Sequence, residues 1–226
     1  MNDELKFTVI SDIHYYSKKN FVDGFDKNKK PKPGQLFFSR SEEIVEHTFD
    51  CLCKNDTPDI VLISGDLTYN GERTSHDEMK AALKKLQQNG KRVYVITATH
   101  DYTTPRMPTY GIDKNDKYIE VESVKRTQLL KYYGDFGYNN AIAKHKSTMS
   151  YVAQLADGYR LFALNDDYGD PDCGFSDELM NWVKTEANNA KRDGQYIIAM
   201  THHPLVPPSP IYTAVAKGDM LNEYEL

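Results

Sequence analysis

Residues 60–66 read "IVLISGD". Four aliphatic side chains in succession, Ile60 to Ile63, show no polar alternation, so a strand here is buried on both faces. Ser64-Gly65-Asp66 then breaks the run. Glycine lets the backbone turn sharply, which aims the following carboxylate at the strand end. Three other runs are built alike: Phe7–Ile10 leads into Ser11-Asp12-Ile13-His14, Val93–Ile96 into Thr97-Ala98-Thr99-His100-Asp101, and Tyr196–Met200 into Thr201-His202-His203-Pro204.

Between these runs the spacing predicts helices over 39–54 (Ile44, Val45, Phe49, Leu52), 75–89 (Met79, Ala82, Leu83, Leu86), 122–133 and 176–192. Ser39 or Ser41 is placed to cap the first, Ser75-His76 the second, and Ser176 with Asp177 and Glu178 opens the last; Asn89-Gly90 closes the second. Runs 148–155 and 159–164, joined by Asp157-Gly158, predict an antiparallel hairpin. Stretches 15–35 and 101–119 read as loops, and the lysines of 18–32 as a solvated segment diluted by Asp23 and Asp26. Apolar strands alternating with amphipathic helices make this an α/β fold, in which ligands bind beyond the carboxyl ends of the strands.

Size and charge narrow the function. A chain of 226 residues fits a single domain, residues 1–226. A net charge of −5 opposes general nucleic-acid binding. No apolar run reaches the ~20 residues that span a bilayer. The first residues carry no signal-like apolar region, and Cys51, Cys53 and Cys173 give no disulfide framework; buried free thiols and a cytoplasmic setting are expected. The sequence sets no oligomeric state.

The strand ends collect Asp12, His14, Asp66, Thr99, His100, Asp101, His202 and His203. In an extended chain Asp12 and His14 point to one face. Carboxylate with imidazole suits Mn, Fe or Zn better than Ca. A carboxylate at Asp66 could bridge two cations ~3.5–4 Å apart, a geometry that serves in-line displacement at phosphorus.

"DIH" at 12–14, "GDLT" at 65–68, "THD" at 99–101 and "HHP" at 202–204, in this order, resemble the motifs of calcineurin-like metallophosphoesterases: DxH, GDxx, GNH[DE], a later His and GHxH. The resemblance implies a four-layer α/β-β/α sandwich of mixed sheets and hydrolysis of a phosphate monoester or diester by a metal-bound hydroxide. It implies that two transition metals, divalent or trivalent, are held by Asp12, His14, Asp66 and His202. His100 would be the acid that protonates the leaving alkoxide, Asp101 would hydrogen-bond and orient its imidazole, and His203 would stand beside the site. Asn165-Asp166-Asp167 would hydrogen-bond a metal-ligating His. Tyr15 and Tyr102, with Tyr16, Tyr69 and Tyr110, fall just after these motifs and either wall a substrate pocket or pack.

Two departures carry weight. Thr99 stands where the family has a metal-binding Asn; a hydroxyl is a shorter, neutral donor, so the second metal is expected to be weak. GHxH is absent, and 212–226 read as a helix leading to a further strand, which suggests a domain incomplete at its carboxyl end. Both departures keep open a degenerate phosphoester-binding or regulatory module. An α/β hydrolase using Ser and His lacks its G-x-S-x-G elbow.

Overall fold

A computed structural model describes residues 4–24, 38–54, 56–169 and 172–205. The first half alternates: β1 (Phe7–Ile10), α1 (Ser41–Leu52), β2 (Ile60–Ser64), α2 (Arg73–Gln88) and β3 (Arg92–Ile96). After a small hairpin, β4 (Gly111–Ile112) with β5 (Tyr118–Ile119), comes the short helix α3 (Leu129–Tyr133). The second half holds β6 (Ala143–His145), β7 (Ser150–Ala156), β8 (Tyr159–Ala163), β9 (Asp167–Gly169), β10 (Asp172–Cys173), α4 (Asp177–Arg192) and β11 (Tyr196–Met200).

β1, β2 and β3 form a parallel sheet with β2 central. The second sheet is mixed: β11 runs parallel to β8, while β8–β7 and β7–β6 are antiparallel. Alternation along the strands builds the layers. Val61 and Ile63 of β2 join the core under α1 and α2, with Phe49, Met79 and Leu83. Ile60 and Leu62 face the other way and pack with Tyr151, Ala153, Leu161 and Met200 between the sheets. Val152 and Phe162 point outward again, against Trp182, Val183 and Ala190 of α4. The order helix, sheet, sheet, helix is the four-layer α/β-β/α sandwich. Leu62, 2% exposed, fills the middle of it, and truncating such a residue to Ala costs about 2–5 kcal/mol.

Several sequence expectations change. Only Leu129–Tyr133, behind a 3-10 turn at Arg126–Gln128, is helical within 122–133, because Ser123 is held in a bridge to Glu72. α1 starts at Ser41, whose Oγ accepts from the Tyr16 N–H instead of capping. Ser75 and His76 lie inside α2, where Ser75 Oγ accepts from the Ser17 N–H and Asn20 Nδ2. Ser176 does cap α4, accepting from the Leu179 N–H. Cys51 and Cys53 are free but partly exposed. The helix expected over 212–226 lies outside the described residues, as does much of the 15–35 loop. No helix among the described residues is long and apolar enough to cross a membrane.

Candidate metal centre

Parallel pairing sets the carboxyl ends of β1, β2 and β3 on one rim, and the turns beyond them are tied together. The N–H of Asp12 donates to Gly65 O (3.3 Å) and that of His14 to Asp66 O (2.9 Å), so the first two motifs run side by side. β11 brings the fourth motif across from the second sheet: His202 Nδ1 donates to Ser64 O at 2.7 Å, at the end of β2.

Asp12 and His14 do not converge as alternate residues of an extended strand, as the sequence led one to expect. Asp12 (φ 54°), His14 (φ 44°) and Asp66 (φ 53°) all adopt left-handed backbone, three of the five non-glycine residues that do so among those described. L-residues pay on the order of 1–2 kcal/mol for this conformation, and such strain gathers where the fold must aim particular side chains. Gly65 (φ 96°) makes the approach of His202 possible, because a Cβ there would lie 2.8 Å from Ala98 Cβ and 3.0 Å from His202 Nδ1.

Donor atoms of Asp12, Asp66 and His202 lie within 4.8 Å of one another, as do those of His14, Asp66 and His100. Asp66 belongs to both groups. Its Oδ2 is 3.5 Å from His14 Nε2 and 3.4 Å from His202 Nε2, one oxygen between two imidazoles. Ligands ~2.1 Å from a tetrahedral ion stand ~3.4 Å apart, so these separations fit a bound cation. Asp12 Oδ1 and His14 Nε2 lie 3.8 Å apart, close enough to share an ion; in the three-residue groups Asp12 stands with His202 and His14 with His100.

Electrostatics also suit positive charge. The His14 hydrogen bond, followed by opposing burial, holds the Asp12 carboxyl far below its usual range. Burial raises Asp66, but the His202, His100 and His14 imidazoles outweigh it and the net direction is down. Burial disfavours the His202 imidazolium, yet Asp66 pulls its pKa up to about 9. His14 moves the same way against burial, helped by Asp12 and Asp66, and its buried Nδ1 has no hydrogen-bond partner. The cluster is a pair of carboxylates demanding cations.

The other expected residues sort as follows. Asp101 does not touch the His100 imidazole. Its carboxylate accepts from Thr68 N (2.9 Å), Thr68 Oγ1 (3.3 Å) and Ala98 N (2.9 Å), fixing the turn instead. Burial first, and the Asp66 charge second, raise its pKa to about 7. What holds the imidazole is Asn70, which the sequence reading did not single out: His100 Nδ1 donates to Tyr69 O (2.6 Å) and to Asn70 Oδ1 (2.8 Å). Thr99 opens the same turn, partly exposed. His203 turns its Nδ1 to Asp166 at 3.2 Å. Asp166 serves the fourth motif through backbone: its Oδ2 accepts the N–H groups of His202 (3.0 Å) and His203 (2.7 Å), not an imidazole of His202. Of the two readings open for Tyr15 and Tyr102, packing is the one observed: both are buried in the core, with hydroxyls held by Glu78 (2.8 Å) and Asp167 (2.7 Å). Lys18 and Lys19 are paired with Glu42 and Glu78.

A family model for calcineurin-like phosphoesterases matches residues 5–225. Among solved structures, a dimetal phosphatase from Danio rerio has a similar fold: the TM-score is 0.58 at 12% identity, covering 89% of this chain and 70% of that one. No curated protein matches the sequence.

Proposed function

The chain belongs to the calcineurin-like phosphoesterase family, an assignment that makes it a metal-dependent phosphoester hydrolase, and from that premise we propose how its strand ends divide the chemistry. Asp12, His14, Asp66 and His202 would hold two transition metals, Asp66 belonging to both donor groups, and the donor set favours Mn, Fe or Zn. Bound there, the metals would neutralise charge on the phosphoryl oxygens and acidify a water. The substrate is a phosphate monoester or diester. The observation that carries the reading is Asp66 Oδ2 set between two imidazoles at 3.4 and 3.5 Å.

His100 supplies the proton. Tyr69 O can only accept, so His100 Nδ1 carries one hydrogen; as the imidazolium, His100 passes the other, on Nε2, to the leaving oxygen and is left neutral with Nδ1–H in place. Asn70 makes that arrangement rigid. Its N–H donates to Glu72 Oε1 (3.0 Å), its Nδ2 to Pro108 O (3.4 Å), and its carbonyl accepts from Thr109 Oγ1, which leaves Oδ1 for His100. An acid locked in one rotamer meets the leaving group without reorganisation.

Purified protein with Mn²⁺ is expected to cleave p-nitrophenyl phosphate or its bis ester, and His14→Ala to lose at least about 100-fold in kcat/KM. Turnover by His14→Ala equal to wild type would overturn the assignment of the centre. Thr99 favours a second reading, a binding module with one metal; elemental analysis after reconstitution separates them, two metals per chain for the hydrolase and one or none for the module.

A further inference from the structure

Beside His100 stands a row of aromatic rings that the chemistry above does not use. The Tyr69 ring lies 6.1 Å from the His100 ring, tilted by 35°. Tyr110 meets Tyr69 edge-on at 5.8 Å, with Tyr110 Oη donating to Tyr69 Oη at 3.0 Å. Tyr118 lies 4.1 Å from Tyr110 at a shallow 38°. Tyr110 directly precedes β4 and Tyr118 opens β5. The row leads outward, from partly exposed Tyr69 and Tyr110 to Tyr118 at 63% exposure.

The row is braced from behind. Tyr16, fully buried, packs edge-on to Tyr69 at 6.1 Å and donates its hydroxyl to Tyr110 O at 3.0 Å. The hairpin is tied down where Val22 N donates to Ile112 O at 3.0 Å and closed where Asp113 N donates to Lys117 O at 3.0 Å. This differs from the other tyrosines near the motifs, Tyr15 and Tyr102, whose rings are core. A solvent-facing aromatic row, held by the fold and starting at the acid, is a wall for something planar.

We propose that Tyr69, Tyr110 and Tyr118 bind a planar aromatic group on the leaving alcohol of the substrate, so that the protein selects phosphoesters of aromatic alcohols such as nucleosides. The inference rests on the role of His100 given above: the group that takes its proton is the leaving alcohol, so the alcohol, and not the phosphate, meets Tyr69. Stacking on aromatic side chains tolerates any planar ring system, so the ring faces carry the selection.

The test has a binding arm and a kinetic arm on the full chain with Mn²⁺. By titration calorimetry adenosine should bind about 10-fold or more tighter than ribose. Tyr118→Ala and Tyr110→Ala should lose most of that difference and Tyr118→Phe keep it. Tyr118 is exposed enough for its truncation to leave the fold intact. In kinetics, adenosine 5′-monophosphate and ribose 5-phosphate present the same primary alcohol with and without the base; 2-phenylethyl phosphate and propyl phosphate ask the same of a plain arene. A kcat/KM ratio of about 10 in either pair, falling toward one in Tyr118→Ala, sustains the proposal. The pair that shows it tells a nucleobase from an arene. Ratios near one in both pairs from an active enzyme overturn the wall and leave the hydrolase. Adenosine binding lost in Tyr118→Ala, with none of the four esters cleaved, leaves the wall and overturns the hydrolytic roles.

Discussion

His100 shows what a single side chain owes to its neighbours. The motif "THD" places it, but the two acceptors on its Nδ1, Tyr69 O and Asn70 Oδ1, lie about thirty positions earlier in the chain. No spacing rule connects them, which is why Asp101, the adjacent carboxylate, was the natural candidate and proved to serve the backbone of Thr68 and Ala98. Asn70→Ala should therefore loosen the ring, leaving Nδ1 with Tyr69 O alone of these two acceptors. The expected loss is about 10–100-fold in kcat with KM little changed, larger for alkyl than for p-nitrophenyl leaving groups, since only the former need a proton. Equal losses for both classes of ester would remove Asn70 from the acid's support. By contrast the gathering of Asp12, His14, Asp66 and His202 at one place was legible, because each lies within four residues of a strand's carboxyl end and those ends meet.

The elements were readable where burial writes a long pattern. β2 and β3 are apolar runs that burial explains, α2 and α4 carry clear stripes, and Asp157-Gly158 announced the β7–β8 hairpin. β1 and β11 read as equally apolar but lie at sheet edges in the described residues, with Val9, Tyr196 and Ile197 exposed, so the run named those strands without their expected burial on both faces. The pairs β4–β5 and β9–β10 are only two or three residues a strand, too short for any period to register. The start of α2 holds a feature that composition hides. Glu72, at the N-cap, is fully buried; its Oε1 accepts from Asn70 N while Oε2 has no partner. A carboxylate is favoured at a helix N-terminus, but burial is the larger effect and raises its pKa to about 7 from an ordinary 4.5. The folded chain thus holds this proton more tightly than the unfolded chain does. Its contribution is fully present below pH ~4.5 and is lost as pH rises through ~7, at most on the order of 3 kcal/mol. Urea midpoints measured from pH 5 to 8 should fall more steeply for wild type than for Glu72→Gln. Parallel curves would show that the Glu72 proton is not linked to folding.

Taken together, the two sheets meet at the centre: β1, β2 and β3 supply Asp12, His14, Asp66 and His100, and β11 supplies His202. Metals held there, as proposed, would cross-link the sandwich. A ligand that binds only the folded chain raises its stability as RT ln(1 + [L]/Kd), about 2.7 kcal/mol at 100-fold excess over Kd. Millimolar Mn²⁺ should raise Tm by several degrees, EDTA should reverse this, and His202→Ala should keep less than half of the shift. A full shift in that variant would mean that the metals bind without bridging the sheets.

The hydrogen bond from His202 to Ser64 spans 138 positions of chain. A contact between residues so distant is costly in loop-closure entropy, and topologies rich in such contacts fold slowly. β1, β2 and β3 can assemble as soon as the first hundred residues exist, whereas the centre is complete only when β11 has docked beside β8. Catalysis is then a late reporter of folding. On dilution from denaturant, helical circular dichroism should recover ahead of Mn²⁺-dependent turnover, and the lag between them times the arrival of the last strand.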